Sequence, residues 1–379
     1  MHGIPRPGRG SWLVAGLNAV ILVGGSGTRL RPLTYAVPKP LIPVLNRPLI
    51  THLIDNLKRH GVRHIVLAAT ASDRRIEETL GDGTDLGVEL SYSYEPEPLG
   101  SGLAVKLAAR DFDGPFFVCN GDVLSDLDLT DMARCHVERG AAMTIFLARV
   151  SDPSSYGIAD LQDDGRITRF VEKPARGEAP SNFGNAGTWL FDPLVLDLIP
   201  DEKMDGSIER LLTPGLIANG RLVLGYPSDA YWMDLGTSER YLQIHADILN
   251  GLIPSWLPKG VADAPSFGEG CEVWPDASVS ARVIMGRGCR IGGLTRIQGP
   301  SVLGNDCVVR DNAFVEGCVI WDGARIGSGA LVRDSIIGAG CLVGDDAIVE
   351  GAVLASGARV KRGAKLGPGT KLEPDEVAG

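Results

Sequence analysis

The sequence predicts an α/β domain built on a mostly parallel sheet with helices on both faces, followed by a β-solenoid of triangular section. Two observations carry this. Residues 18 to about 250 alternate short apolar runs with segments of helical periodicity, the pattern of strands joined by crossover helices. From residue 303 onward aliphatic residues return in steps of 6, 6 and 5, a period of 17, as in stacked coils with three short faces each.

The elements follow in order. Residues 18–23 form a continuous apolar run, as in a strand covered on both faces. Residues 48–60 carry apolar positions at 49, 50, 53, 54 and 57, a helical spacing, and Gly61 stands where a C-cap glycine belongs. Further strands are expected at 64–69, 88–94, 115–120 and 141–150, with helix-like segments between them. The segments 157–162, 166–174 and 185–191 read as an added β layer, and 238–249 as a closing helix. Pro254, Pro258 and Gly260 then mark a linker. In the repeat, one column is Leu303, Ile320, Ile337 and Leu354. A second is Val309, Ile326, Val343 and Val360, and a third Val315, Val332, Val349 and Leu366. Small residues recur four positions after many of these, among them Cys307, Ala324, Cys341 and Ala358. Cys289, Cys307 and Cys341 are therefore expected to pack as compact apolar groups. The division is a flexible leader at 1–16, an α/β domain at 17–253, a linker at 254–265 and the repeat domain at 266–379.

Composition excludes several classes. The net charge is −10, from 37 Lys+Arg against 47 Asp+Glu, with no basic block, which argues against binding nucleic acid by phosphate neutralisation. Seven cysteines without a CxxC pair form neither a disulfide framework nor a metal set. The apolar run 12–23 follows Arg6 and Arg9 like a targeting signal, but leads into a loop with chemistry of its own. No apolar run approaches the ~20 residues of a membrane span. The expectation is a cytoplasmic protein with no membrane partner.

The loop is Gly24-Gly25-Ser26-Gly27-Thr28-Arg29-Leu30-Arg31. Its glycines permit positive φ and close approach of a ligand, and exposed N–H groups form a nest for anions. Arg29 adds a fork suited to phosphate oxygens. Lys39, between Pro38 and Pro40, is a flexible cation on a stiff backbone. The loop is neither a Walker loop nor a dinucleotide fingerprint; a tight strand-to-helix turn is its plain alternative.

GGSGTRLRPLT followed by VPKPLIPVLNRP resembles the signature of the sugar-1-phosphate nucleotidylyltransferases (NDP-sugar pyrophosphorylases). The likeness continues at EPEPLGSG (95–102), NGD (120–122), VEKP (171–174), Asn185-Ala186-Gly187 and WMDLGT (232–237). It implies a Rossmann-like sheet followed by a left-handed parallel β-helix of hexapeptide repeats. It implies a reaction in which a sugar phosphate oxygen attacks the α-phosphorus of an NTP and pyrophosphate leaves. By this resemblance Arg29 and Lys39 are catalytic cations. Gly24, Gly25, Gly27, Thr28, Arg29, Glu97, Gly100 and Asp122 bind the nucleotide. Lys39, Gly157, Glu172, Lys173 and Asn185 bind the sugar phosphate, and Asp122 and Asp234 ligate Mg²⁺. The overall pattern is most similar to the mannose-1-phosphate guanylyltransferase branch, which implies GTP and mannose 1-phosphate as substrates and a homo-oligomer assembled through the β-helix.

Other readings stand beside these. Asp122 could cap a turn, Asp234 the helix near Ser238, Lys173 could pair with Glu172, and Asn185 could lie at a strand edge. ADP-, UDP- or dTDP-glucose synthesis and a non-catalytic nucleotide-sugar sensor are the alternative functions. An acyltransferase in the repeat would need a histidine base, and all six histidines precede it.

Overall fold

The computed structural model describes residues 16–25, 27–71, 73–95, 97, 99–201 and 208–379. The leader expected at 1–16 lies outside them except for its last residue, as does Ser26. In chain order the strands are β1 (Asn18–Leu22), β2 (Pro43–Val44), β3 (Arg47–Pro48), β4 (His64–Thr70), β5 (Glu89–Glu95), β6 (Phe116–Asn120), β7 (Val123–Ser125), β8 (Met143–Arg149), β9 (Gly157–Leu161), β10 (Ile167–Glu172), β11 (Phe183–Phe191), β12 (Val223–Pro227) and β13 (Trp232–Asp234). The helices are α1 (Leu49–Arg59), α2 (Arg75–Leu80), α3 (Ser101–Ala108), α4 (Leu129–Arg139), α5 (Thr213–Ala218) and α6 (Ser238–Leu249). None of the described helices is long and apolar enough to cross a membrane.

Nine strands form one sheet, in the order β10-β9-β11-β6-β1-β4-β5, with β8 pairing both β11 and β12. β1 runs parallel to β4 on one side and to β6 on the other, and β5 extends the parallel run past β4. Ala19, Val20 and Ile21 are fully buried, as expected of a parallel strand covered on both faces. Beyond β6 the pairing turns antiparallel: β11 runs against β6, β8 and β9, and β10 against β9. The segments read as an added β layer therefore continue the same sheet. β11 bridges them, since Thr188–Phe191 pair with β6 while Phe183–Gly184 pair with β9. Local alternation of polar and apolar residues looks alike in a continued sheet and in a second one, so the sequence alone does not distinguish them.

Compactness divides the chain into two units that interleave in sequence: residues up to 25 with 53–233, and 26–52 with 234–379. The sheet belongs to the first. Its core holds Phe116, Trp189 and Phe191 among other buried side chains.

The second unit contains the loop from Gly27 onward, the β2–β3 hairpin, α6 and the solenoid. The solenoid has three parallel sheets of seven, seven and six short strands. The three aliphatic columns point inward, and Cys289, Cys307 and Cys341 are fully buried among them. Burial pushes the Cys341 thiol up to about 12, which suits a packing role. The coils before Leu303 advance by 18 residues, as in Arg290 on Val308, and so does the last, Leu354 on Leu372. A strict count of 17 therefore finds its first column only at Leu303.

One sheet also has an apolar column on its outer face. Ile284, Val302, Val319, Ile336 and Val353 stack rung on rung and are at most 9% exposed. The matching column of the next sheet carries the exposed Arg290, Arg325 and Arg359. α6 packs on the apolar face at Ser301–Leu303. Tyr241, Ile244, His245, Ile248 and Leu249 form its buried stripe at helical spacing. Thr237 caps it by accepting from the Arg240 amide.

Two buried histidines make stability depend on pH. His136 on α4 and His245 on α6 are both lowered to about 4, chiefly by burial. Between that value and the ordinary 6.5 the unfolded chain binds protons that the folded one does not, so stability is lost as pH falls through this window. The unfolding free energy from urea titration should drop between pH 7 and pH 4.5, by up to ~1.4 kcal/mol per pH unit per ring, with the midpoint falling in step, and His245→Gln should flatten the drop. A midpoint constant over that range would contradict neutral buried rings.

Candidate active site

In the first unit, the carboxyl ends of four neighbouring parallel strands carry one group of candidates. β1 leads to Gly24-Gly25, β4 ends at Thr70, β5 at Glu95, and β6 at Asn120 just before Gly121-Asp122. Register keeps the ends level, with Leu22 opposite both Ala68 and Asn120, and Thr70 opposite Glu95. Open α/β sheets take ligands at this edge. Gly24 and Gly25 are exposed, and a Cβ on either would meet nothing closer than Thr70 Cγ2 at 3.7 Å. Their use is open space; among the described glycines of the loop only Gly27 adopts positive φ, 59°. Gly121 is different. A Cβ there would lie 2.8 Å from Val23 Cγ1 and 2.9 Å from Leu22 O, so only glycine lets the chain pass β1 so closely. Its amide donates to Leu22 O at 2.9 Å, and half-buried Asp122 follows. Glu97 is exposed, and Gly100 (φ 93°) precedes α3. Buried Glu95 accepts from the Leu99 amide at 2.9 Å, folding this loop on itself. Burial raises its carboxyl above the ordinary value, against the pull of that bond.

On the antiparallel side, Lys173 sits at φ 49°, a left-handed conformation costing a non-glycine residue about 1 kcal/mol or more. Its amide donates to Tyr156 O at 3.0 Å. The exposed ammonium lies 3.4 Å from Glu172 Oε1, so the surface pairing considered for Lys173 is present. Glu172 stands opposite Gly157, where a Cβ would come within 2.5 Å of Phe170 Cζ and 2.8 Å of Glu172 Oε2. Glycine there makes room for those two side chains. Asn185 is buried within β11, where it pairs with Leu147 of β8, and its Oδ1 accepts from the Gly187 amide at 3.0 Å. The register with β8 shifts between Asn185 and Trp189; such bulges re-aim backbone beside sites. A Cβ on Gly187 would lie 2.9 Å from Asn120 Nδ2. Trp232 Nε1 donates to Ala186 O at 2.7 Å, and Tyr156 packs edge-on against Trp232. One chain of contacts thus runs from Lys173 through Tyr156, Trp232 and Ala186 to the Asn120 turn.

The second unit holds Gly27, Thr28, Arg29, Lys39 and Asp234. Thr34 Oγ1 donates to Gly27 O at 2.9 Å. A Cβ on Gly27 would press Thr34 Cγ2 at 3.0 Å and Lys39 Cβ at 3.3 Å, so Lys39 returns beside the glycine turn. Thr28–Leu30 is a single 3-10 turn, with Leu30 buried as its anchor and Thr28 and Arg29 exposed. A Cβ on Gly236 would lie 2.8 Å from Asp234 Oδ2, 3.7 Å from Arg29 Nη1 and 3.8 Å from Arg240 Nη1. Gly236 is thus a floor without a side chain on which Arg29, Asp234 and Arg240 converge. Arg240 ion-pairs with Asp234 Oδ1. Asp234 does not cap α6, since Thr237 does.

Sequence reasoning missed Gly236 and Arg240. A signal existed: Arg240 is a cation in the first turn of a helix, where the macrodipole disfavours it, so a nearby anion was implied. The donors fit a hard divalent ion. Asp234 has one oxygen held by Arg240 and the other directed over the bare backbone of Gly236. Mg²⁺ prefers one or two carboxylates completed by phosphate oxygens. Among the described residues no group of three or more His, Cys, Asp or Glu could hold a metal alone.

A profile of the nucleotidyl transferase family matches residues 18–251, and one of the eIF2B epsilon subunit left-handed β-helix domain matches 268–372. A mannose-1-phosphate guanylyltransferase of Mycobacterium tuberculosis is 36% identical over 83% of this chain and 83% of its own. A UTP–glucose-1-phosphate uridylyltransferase of Synechocystis is 34% identical over 84% of this chain and 86% of its own. Among solved structures, HddC of Yersinia pseudotuberculosis complexed with GMP-PN matches with a TM-score of 0.51 and 26% identity, covering 60% of this chain and 97% of that one. By its fold, its strand-end loops and these likenesses, the chain belongs to the nucleotidyl transferase family and is a sugar-1-phosphate nucleotidylyltransferase.

Proposed function

We propose that this enzyme transfers the guanylyl group of GTP to mannose 1-phosphate, with Mg²⁺. The observation that carries the chemistry is the convergence of Arg29 and Arg240 beside Asp234 over Gly236, in the unit whose Gly27 turn also bears Lys39. Such an arrangement suits two polyanions brought together. The attacking phosphate oxygen is already an anion near neutral pH, so no general base is needed. Its lone pair forms a bond to the α-phosphorus, the bond from that phosphorus to the bridging oxygen breaks, and pyrophosphate leaves with the electron pair. The barrier is charge repulsion and misorientation, which fixed cations lower.

In this reading the amides around Gly24, Gly25, Gly27 and Thr28 and the Arg29 guanidinium hold the triphosphate. Lys39 neutralises charge at the attacked phosphate. Glu97 and Gly100 border the base, while Lys173 and Asn185 receive the sugar phosphate and sugar. Strain at Lys173 supports its role, since such conformations gather at functional sites. Asp122 and Asp234 would hold Mg²⁺, which when bound supplies positive charge to the phosphate oxygens. Arg240 would orient Asp234 through their ion pair. The guanylyltransferase relatives support GTP and mannose 1-phosphate. The uridylyltransferase relative, matched over as much of the chain, supports a second reading with UTP and glucose 1-phosphate.

Pyrophosphate release across four NTPs and several sugar 1-phosphates decides between them: GTP with mannose 1-phosphate should give the highest kcat/KM, and a higher value for UTP with glucose 1-phosphate would replace the first reading by the second. Arg29→Ala should lower kcat by about 10²–10³ with little change in thermal midpoint; unchanged turnover would remove Arg29 from the site. Asp234→Asn should raise the Mg²⁺ concentration for half-maximal rate about tenfold or more, whereas an unaltered metal titration would exclude it as a ligand.

A further inference from the structure

The hairpin that follows Lys39 is held from outside at four consecutive residues. β2 and β3 pair Pro43 with Pro48 and Val44 with Arg47. The turn between them places Leu45 at φ 49° and Asn46 at φ 63°. Asn tolerates this region, but a buried leucine holds it only where its surroundings over-determine it. They do so here. Pro43 O accepts from the Tyr241 hydroxyl on α6. Val44 O is bonded to His52 Nε2 at 3.0 Å. The Leu45 amide donates to His245 Nε2 at 3.3 Å, and Asn46 Nδ2 donates to Leu303 O, in the solenoid, at 2.7 Å.

Tyr241 is the hub of this arrangement. Its oxygen also accepts from Trp321 Nε1, one coil further along the solenoid, at 2.9 Å. Its carbonyl bonds His245 Nδ1 at 2.8 Å, which leaves Nε2 of the neutral ring as the acceptor that the Leu45 amide needs. At the hairpin's base the Ile42 amide donates to Lys39 O at 3.2 Å and the Leu49 amide to Ile42 O at 2.9 Å. The 3-10 turn Lys39–Leu41 is therefore tied to a hairpin that α6 and the solenoid clamp. The apolar outer column of the solenoid supplies the surface for α6; these hydrogen bonds carry the placement on to Lys39.

We propose that the solenoid acts as part of the catalytic apparatus: Tyr241, backed by Trp321, and Asn46, backed by Leu303, are positioning residues that set where Lys39 stands. The proposal rests on the reading of Lys39 as a phosphate-contacting cation. A misplacement of a catalytic group by about 1 Å can cost about 10²-fold in rate.

The test is a double-mutant cycle with a second readout independent of turnover. Tyr241→Phe keeps the ring and removes the hydroxyl with its two hydrogen bonds, whereas Trp321→Phe keeps an aromatic ring but removes the Nε1 donor together with part of the indole; each is made alone and together with Lys39→Ala. Each single variant should lower kcat about tenfold or more, and neither should lower it further once Lys39 is gone, since both act through it. In the same variants, amide exchange in residues 39–48 should quicken while the solenoid core at 326–349 stays protected. Equal loss of rate with and without Lys39, an undiminished kcat in a folded single variant, or unaltered exchange at 39–48 would each overturn the proposal. If Tyr241→Phe does not fold, Trp321→Phe, which leaves Tyr241 in place, carries both measurements. A wild-type protein that releases no pyrophosphate with any substrate would refute the function instead, and exchange at 39–48 would then decide the clamp by itself.

Discussion

A strand paired in parallel on both sides cannot shift its end without breaking two ladders. β1 is such a strand, with β4 and β6 as neighbours and its middle three residues fully buried. The position of Gly24-Gly25 follows from that constraint, and so does the level of Asp122, because Gly121 is bonded to the last residue of β1. The same edge carries the Glu95–Gly100 loop through the β4–β5 register. An enzyme that must bring two anions to contact needs its cations and acids placed before the reactants arrive, and this edge provides rigid backbone to start from.

After Gly25 the chain joins the other compact unit. There the loop is held by turns of its own, by α6 and by the solenoid. The outer apolar column from Ile284 to Val353 would be costly if left in water, and α6 covers part of it with the stripe from Tyr241 to Leu249. The repeat thus offers a surface against which α6 and the hairpin after Lys39 are set. Arg240, on the same helix, reaches back to Asp234, so one short helix serves the acid on one side and the hairpin on the other.

Much of this was readable beforehand. The buried strand at 18–23, the helix at 48–60 and the closing helix at 238–249 agree with β1, α1 and α6 to within a residue or two, because each carries an unbroken period and a clear stop signal. The solenoid columns were readable for the same reason. The antiparallel half of the sheet was not: β9 and β10 are short, β11 is buried almost throughout, and nothing local says which neighbour they choose. The Asp234–Arg240 pair depended on the tight turn at Gly236. The Tyr241–Pro43 and Trp321–Tyr241 bonds join residues about 200 and 80 positions apart, and no pattern along the chain announces such a meeting.

The amino-acid order by itself determined the two architectures, the place of the glycine-rich loop after the first strand and the kinds of side chain available to the chemistry. These depend on short-range periodicity and on residue types that suit charged ligands. Tertiary structure alone decided which glycines serve space and which serve close packing, which cation steadies Asp234, and that the solenoid holds the Lys39 hairpin. Those outcomes come from distances between segments remote in the chain, set by how buried surfaces fit together, and a linear pattern contains no measure of such distances.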